Sequence, residues 1–166
     1  GRGPVMPESL ESAIVSRLRM LPDSAYADLP DSGEGLHNRI ARAAKEECTL
    51  DAILAAGKSK RYALSRIRRI IMCAALGIDA RMTAETPPYA RVLAATARGC
   101  TLLREMGEKS RIPVVTKPAD IKNYDAECLS LFELGSAAHD LYVLGYNAQQ
   151  ERRGGADWRT SPKIIK

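Results

Sequence analysis

Hydrophobic residues recur every three or four positions along much of the chain, which is the period of amphipathic helices. Near the start, Leu10, Ile14 and Leu18 follow this spacing, and Pro7 stands where a first helical turn accepts proline. The strongest helical pattern runs over residues 60–76 and ends before a glycine. The pattern therefore predicts helices over residues 8–20, 36–47, 49–57, 60–76, 97–109 and 125–144, the last with a break at Gly135 and Ser136.

Two short runs favour strands instead. They are YARVLAA at residues 89–95 and IPVVT at residues 112–116. With a helix between them, these runs would either form a small parallel pair or lie extended without pairing. We therefore predict a mostly α fold, a single helical domain with a short two-stranded β element at about 89–95 and 112–116.

The composition excludes several classes of protein. The chain has 166 residues, about one domain, and 45% of them are hydrophobic, which argues against general disorder. No apolar run approaches the roughly 20 residues of a membrane span. Cys48, Cys73, Cys100 and Cys128 lie far apart and only two histidines are present, so we predict no metal site, no disulfide scaffold and no membrane partner. Reduced, buried thiols in a cytoplasmic protein are the interpretation that this cysteine usage favours.

Charge is distributed unevenly, although the net charge is only +5. Residues 7–35 carry six acidic and two basic side chains, a net charge of −4. Residues 58–69 carry six basic side chains and no acidic one, and residues 149–166 carry five basic and two acidic side chains. Such concentrated positive charge favours a polyanionic partner, most often the backbone of a nucleic acid.

The predicted helix over 60–76 separates its apolar residues from its basic ones. At 100° per residue, the isoleucines and alanines form one stripe, and Arg61, Arg66, Arg68 and Arg69 cover the opposite face. Arginine suits phosphate because its planar guanidinium donates two parallel hydrogen bonds and stays charged. Tyr62 falls on the basic side, where its ring would either stack on a base or pack against a neighbouring helix.

Nine residues are the candidates for contact with nucleic acid. They are Lys58, Lys60, Arg61, Tyr62, Arg66, Arg68, Arg69, Arg152 and Arg153. The competing interpretation is a solvated face whose arginines pair with acidic residues of the opening segment. No catalytic constellation can be built, since His37 and His139 are isolated from any acid, nucleophile or metal-binding partner in the sequence.

The order of several motifs is similar to that of one known family. The most specific motif is Lys58-Ser59-Lys60-Arg61-Tyr62, followed by Ser65-Arg66-Ile67-Arg68-Arg69. Weaker motifs are Glu34-Gly35-Leu36 with Asn38-Arg39, Arg91-Val92-Leu93, Pro113-Val114-Val115-Thr116 and Arg153-Gly154-Gly155. From about Glu34 to the C-terminus, the chain resembles the C-terminal domain of the bacterial tRNA(Met) cytidine acetate ligase family, whose members are also described as predicted nucleotidyltransferases.

The resemblance implies a part of a tRNA-modifying enzyme. Members of the family activate acetate with ATP and acetylate N4 of the wobble cytidine of elongator tRNA(Met). Their N-terminal ATP-binding catalytic domain carries an H-x-G-H motif, which this sequence lacks. We therefore expect that domain to be absent from this chain, which begins without a methionine at Gly1-Arg2-Gly3. On this view the chain alone is not catalytic, has no cofactor of its own, and holds tRNA for the family's catalytic domain, its partner in the longer protein.

The resemblance also suggests how the chain is organised. Residues 1–33 would form an N-terminal helix and connecting loop, residues 34–146 a helical tRNA-binding domain, and residues 147–166 an irregular basic tail. Departures from the family's pattern are His37 and Ala94-Ala95.

Two alternatives from other classes stay open. One is a helix-turn-helix DNA-binding domain, with residues 49–56 as its first helix and the helix from Lys60 as its recognition helix. Against it, Ser65 is almost the only uncharged polar residue on that helix that could read base edges. The other is a helical protein-interaction domain whose basic face docks an acidic partner.

Overall fold

Helices make up most of the chain in the computed structural model, which describes residues 4–84 and 86–165. The mostly α prediction is confirmed. The α-helices are α1 (Glu11–Met20), α2 (Leu36–Glu46), α3 (Leu50–Gly57), α4 (Leu64–Leu76), α5 (Ala80–Ala84), α6 (Ala97–Lys109), α7 (Ala126–Val143) and α8 (Ala156–Arg159). Short 3-10 helices cover Pro7–Leu10, Asp23–Tyr26, Pro118–Asn123 and Gln149–Glu151.

Several helix ends follow local signals in the sequence. The Thr49 hydroxyl caps α3 by accepting a hydrogen bond from the Ala52 N–H at 3.2 Å. Thr96 caps α6 in the same way through the Gly99 N–H, at 3.1 Å. Gly77 ends α4 with a φ of +77°, a backbone conformation that residues with a Cβ rarely adopt.

The start of α4 differs from the prediction. The helix predicted to begin at Lys60 begins at Leu64 instead. The Ser59 hydroxyl accepts the Arg61 N–H at 3.2 Å, and the Ser59 carbonyl accepts the Tyr62 N–H at 3.3 Å. These local bonds hold the backbone in a turn and compete with helix formation. Lys60, Arg61 and Tyr62 therefore lie on a loop.

Helix α7 also differs from the prediction, because it continues without a break through Gly135 and Ser136. A single glycine costs a helix only about 1 kcal/mol. Ser136 is buried, and this burial favours the helical conformation over a solvated turn.

The chain divides into two compact units instead of the single domain predicted. The first unit comprises Gly1–Glu85 and Leu141–Glu151, and the second comprises Thr86–Asp140 and Arg152–Lys166. These limits differ from the three segments that the sequence suggested. Residues after 140 return to the opening of the chain, where the Tyr142 hydroxyl accepts the Val5 N–H at 3.1 Å.

The core of the first unit is built by α1, α2, α3 and α4. Each of these helices contributes fully buried side chains, among them Ile14, Leu18, Ile40, Ile53 and Ile67. The stripe of apolar residues predicted for α4 is thus confirmed where the helix exists.

Arginines of α1 and α2 stabilise the C-terminal ends of neighbouring helices. Arg17 Nε donates to a carbonyl in the last turn of α4 at 3.1 Å, and Arg19 Nε to one in the last turn of α2 at 3.1 Å. Arg39 Nη2 donates to the Lys58 carbonyl just after α3, at 3.1 Å. The last carbonyls of a helix have no partner within the helix and favour cations. These three arginines therefore hold the fold together.

Two small parallel sheets organise the second unit. Its strands are β1 (Ala90–Arg91), β2 (Ala94–Thr96), β3 (Val114–Val115) and β4 (Lys163–Ile165). β1 pairs with β3, so the predicted β element at 89–95 and 112–116 is confirmed. β2 pairs with β4, which lies in the tail. The prediction of an irregular tail over residues 147–166 is therefore wrong for this strand. This pairing joins residues nearly 70 positions apart, which local patterns cannot reveal.

Phe132 lies at the centre of the second unit's core. It is buried with Val115, Ile121 and Cys128, and Trp158 meets its ring edge-on with centroids 4.7 Å apart. Helix α6, in contrast, has no buried residue among those described.

No helix among residues 4–84 and 86–165 combines the length and the apolar character that crossing a membrane requires.

Candidate nucleic-acid interface

Most of the candidate residues lie on a loop and on the first half of α4. We call residues 58–63 the basic loop. Lys58 and Lys60 are exposed on it. The bond from Arg39 to the Lys58 carbonyl and the bond from the Arg61 N–H to the Ser59 hydroxyl fix the backbone that carries both lysines.

Tyr62 lies in the interior of the first unit. It is 7% exposed, and its hydroxyl donates to the Glu34 carbonyl at 2.8 Å. The guanidiniums of Arg61 and Arg66 lie 5.9 and 5.3 Å from the centroid of its ring. Of the two roles open to Tyr62, these contacts favour packing within the protein, and stacking on a base stays a prediction. Its ring orients two arginines through cation–π contacts.

A short acidic segment lies against these basic residues. We call residues 31–35 the acidic turn. Asp31 and Glu34 have φ angles of +57° and +62°, in the left-handed region that residues other than glycine rarely adopt, and Gly35 follows with +81°. The buried Ser32 hydroxyl donates to the Leu29 carbonyl at 2.7 Å. Such a backbone persists only where its surroundings enforce it.

Three of the candidate arginines contact the acidic turn. Arg66 donates to the Asp31 carbonyl from Nε at 3.0 Å and from Nη2 at 2.7 Å. Arg69 forms an ion pair with the Asp31 carboxylate. Arg61 Nη2 lies 2.9 Å from the Glu34 carboxylate. For Arg61 and Arg69, the pairing with acidic residues that the sequence left as the competing interpretation is present in the structure.

The two ion pairs are exposed, whereas Arg66 forms no ion pair with a described residue and donates to a backbone carbonyl. The side chains of Arg69 and Asp31 are 60% and 51% exposed, and those of Arg61 and Glu34 are similar. Exposed ion pairs contribute only about 0–1 kcal/mol to stability, and salt screens them. Arg66 instead binds a neutral carbonyl and lies on the Tyr62 ring.

Cys73 lies one turn beyond Arg69 on α4. Burial raises the pKa of its thiol above the ordinary value, while Arg69 lowers that pKa and Asp31 raises it by smaller amounts. Cys73 is therefore a neutral thiol of the core, as predicted. Cys48, by contrast, is exposed.

Lys58, Lys60 and Arg68 are open to an anion. In the part of the chain that the structure describes, none of these side chains has a hydrogen bond or an ion pair. Arg68 lies apart from the acidic turn and lines a groove with Met6 and Met72. The prediction that four guanidiniums share one helix face is thus wrong, because Arg61 precedes α4 and Arg68 lies along a different groove.

Arg152 and Arg153 belong to the second unit. Arg153 is exposed, and Arg152 interacts with other groups of the protein. The geometry described for the first unit does not include them, so their contact with nucleic acid stays a prediction.

Sequence reasoning missed Asp31 and Glu34 as parts of this site. The one signal for them was the net negative charge of residues 7–35, which indicates a partner for the basic residues but not which carboxylates provide it.

Comparison with protein families defines the class to which the chain belongs. Residues 1–157 match the family model described as HIGH Nucleotidyl Transferase. The chain therefore belongs to the HIGH nucleotidyl transferase family.

Individual relatives are more specific. The tRNA(Met) cytidine acetate ligase of Acetivibrio thermocellus is 32% identical over 164 residues, which cover 95% of this chain and 40% of that protein. The tRNA(Met) cytidine acetate ligase of Alkaliphilus metalliredigens is 33% identical, over 96% of this chain and 39% of that protein. The chain thus spans about two fifths of the length of these curated relatives.

Solved structures show the same fold. The apo crystal structure of Thermotoga maritima TmcAL superposes with a TM-score of 0.88 over 99% of this chain and 42% of that chain, at 24% identity. A crystal structure of the same protein bound with alpha-thio ATP has the same TM-score. At this identity, the likeness establishes the fold.

The family match corrects one prediction. The resemblance assigned the chain to a C-terminal domain, from about Glu34 onward, that lies apart from the nucleotidyltransferase part of the family. The nucleotidyl transferase model itself covers residues 1–157, opening segment included, so that assignment is wrong. The relationship to the tRNA(Met) cytidine acetate ligases is confirmed.

Proposed function

We propose that this chain binds tRNA as part of an ATP-dependent tRNA(Met) cytidine acetate ligase. The names of the relatives support tRNA(Met), cytidine and acetate as the reactants, and the ATP analogue bound by TmcAL supports ATP. The whole ligase would activate acetate with ATP and transfer the acetyl group to N4 of the wobble cytidine of elongator tRNA(Met). We expect the reaction in the cytoplasm, where tRNA is found.

The observation that carries the proposal is a hydrogen-bonded loop with two exposed lysines that have no hydrogen bond or ion pair among the described residues. Lys58 and Lys60 are exposed on a backbone that Arg39 and Ser59 hold in place. Their ammonium groups can bind phosphates without first breaking a hydrogen bond or ion pair to a described residue of the protein. Contacts to phosphate set the position of a nucleic acid, while other groups provide sequence specificity.

The other candidates have supporting roles in this proposal. Arg61 follows Lys60 on the basic loop, Arg69 lies beyond the first turn of α4, and their guanidiniums suit phosphate oxygens. Tyr62 and Arg66 hold the acidic turn against the basic loop and α4 through their hydrogen bonds to its carbonyls. Arg68 would add a contact outside the basic loop, and Arg152 and Arg153 would be contacts of the second unit by itself.

The test is the binding of labelled elongator tRNA(Met) by fluorescence anisotropy across a series of salt concentrations. We expect Lys58→Ala/Lys60→Ala to weaken binding and to reduce the slope of log K against log salt. Each lost phosphate contact lowers that slope by about 0.7–0.9, so the double variant should lower it by about 1.4–1.8.

Lys109→Ala/Lys117→Ala is the matched control, because it removes two exposed lysines of the second unit. An equal loss in both variants would show that net charge alone matters and would contradict the proposal. Equal or tighter binding of duplex DNA would favour the helix-turn-helix alternative. Competition by millimolar ATP would indicate that the basic loop holds a triphosphate in place of RNA.

A further inference from the structure

The acidic turn presents two carboxylates to the guanidiniums that the proposed function assigns to RNA. The Asp31 carboxylate forms an ion pair with Arg69, and the Glu34 carboxylate lies 2.9 Å from Arg61 Nη2. A carboxylate offers a guanidinium much the same oxygen acceptors as a phosphate does. The acidic turn therefore fills the positions that phosphate oxygens of a bound RNA would need.

The backbone of the acidic turn holds these carboxylates in place. Asp31 and Glu34 both have left-handed φ angles, and their carbonyls accept hydrogen bonds from Arg66 at 2.7 Å and from the Tyr62 hydroxyl at 2.8 Å. These bonds join the turn to the basic loop and to the start of α4 without involving either carboxylate. The side chains can thus release their arginines while the turn stays where it is.

Exchange of the carboxylates for phosphates is favoured by exposure. All four side chains of the two ion pairs are about half exposed or more. Water and salt reach such pairs, so they hold their partners weakly. A phosphate that approaches along Lys58 and Lys60 would meet arginines that can be released.

We propose that the acidic turn is a built-in competitor of RNA, in which Asp31 and Glu34 mask Arg69 and Arg61 until phosphates displace them. The inference rests on the proposed function, since it concerns the same interface. It assigns the arginines two roles: Arg61 and Arg69 are exchangeable contacts, whereas Arg66 binds a neutral carbonyl and remains with the protein.

Asp31→Asn and Glu34→Gln test the proposal because each removes one competing charge. Asparagine tolerates the left-handed backbone of position 31, and the Asp31 carbonyl that Arg66 binds is retained. We expect each variant to bind elongator tRNA(Met) about two- to fivefold more tightly than the unmodified chain, which is the strength of one exposed ion pair. The slope of log K against log salt should steepen by up to about 0.9, for one added phosphate contact.

Glu46→Gln is the matched control. It makes the same change in net charge, and Glu46 lies 3.8 Å from Arg42, away from the basic loop. A gain in Asp31→Asn and Glu34→Gln that exceeds the gain in Glu46→Gln supports masking. Equal gains in all three variants, or weaker binding by Asp31→Asn and Glu34→Gln with an unchanged unfolding midpoint, would overturn it. If no protein in the series binds tRNA, the proposed function itself fails and the masking proposal fails with it.

Discussion

At the scale of single residues, the basic side chains of one short segment differ in the groups they bind. Arg66 binds a carbonyl, Arg61 and Arg69 bind carboxylates, and Lys60 and Arg68 bind no protein group among those described. The acceptor decides how readily each side chain can turn to an external anion. A count of basic residues therefore overstates the charge that is open to RNA.

Tyr26 provides a pH-dependent contribution to the stability of the first unit. It is 1% exposed, and its hydroxyl donates to the Leu18 carbonyl at 2.7 Å. Burial, together with the negative charge of Asp23, raises the pKa of Tyr26 from 10.0 to about 12. The folded state thus binds this proton more tightly than the unfolded state. The resulting stability is fully present below pH 10 and is lost as the pH rises from 10 to about 12.

We expect Tyr26→Phe to remove this part of the alkaline destabilisation. Urea unfolding at pH 9 and at pH 11.5 should show a smaller loss of unfolding free energy in the variant, by about 2 kcal/mol. All other side chains are the same in the two proteins, so the difference between them isolates Tyr26. Equal losses in the two proteins would show that Tyr26 is ionised at little cost in the folded state.

Residue-scale predictions succeed where the signal is local. The capping role of Thr49 and the left-handed Gly77 follow from residue type and position alone. The pairing of Asp31 with Arg69 joins residues 38 positions apart and depends on how α4 packs. Charge along the chain indicates that such a partner exists, but it cannot identify the carboxylate.

At the scale of elements, one arginine joins helix α4 to the acidic turn. Arg66 donates two hydrogen bonds to the Asp31 carbonyl, and its guanidinium lies over the Tyr62 ring. A lysine at this position keeps the charge but cannot donate from two nitrogens in a planar fork. We expect Arg66→Lys to lower the unfolding free energy by about 1 kcal/mol.

Arg68→Lys is the control for this prediction, because Arg68 is on the same helix and has no hydrogen bond or ion pair within the described residues. Its unfolding free energy should change by less than about 0.5 kcal/mol. The midpoint of urea unfolding measures both effects. Equal stability of the two variants would contradict the structural role of Arg66.

The elements themselves were predictable to different degrees. Amphipathic spacing predicted α1, α2, α3 and α4, since burial of one helix face dictates that spacing, and it also predicted α6, although no described residue of α6 is buried. The start of α4 was not predictable from spacing. The helix that the spacing predicts begins at residue 60, but the Ser59 hydroxyl stabilises a turn there and the helix begins at Leu64. Strand β4 was missed because its partner β2 lies far away in the sequence.

At the scale of the whole molecule, the acidic and basic segments of the sequence meet in one unit. The acidic residues 31 and 34 and the basic loop both belong to the first unit, where they form one network. The basic cluster in the sequence therefore contains residues of two kinds. Arg61 and Arg69 pair with carboxylates of the same unit, whereas Lys58 and Lys60 are exposed to an external anion. The family model of the HIGH nucleotidyl transferases covers this unit, and the proposed function takes tRNA as the polyanion.

The measurement that tests the account most directly is the protection of individual lysines by RNA. The unmodified chain would be treated briefly with an amine-acetylating reagent, with and without saturating elongator tRNA(Met), and each site quantified by peptide mass spectrometry. We predict that tRNA protects Lys58 and Lys60 and leaves the exposed Lys109 and Lys117 unchanged. Protection of Lys109 and Lys117 without protection of Lys58 and Lys60 would place the RNA elsewhere and contradict the central claim.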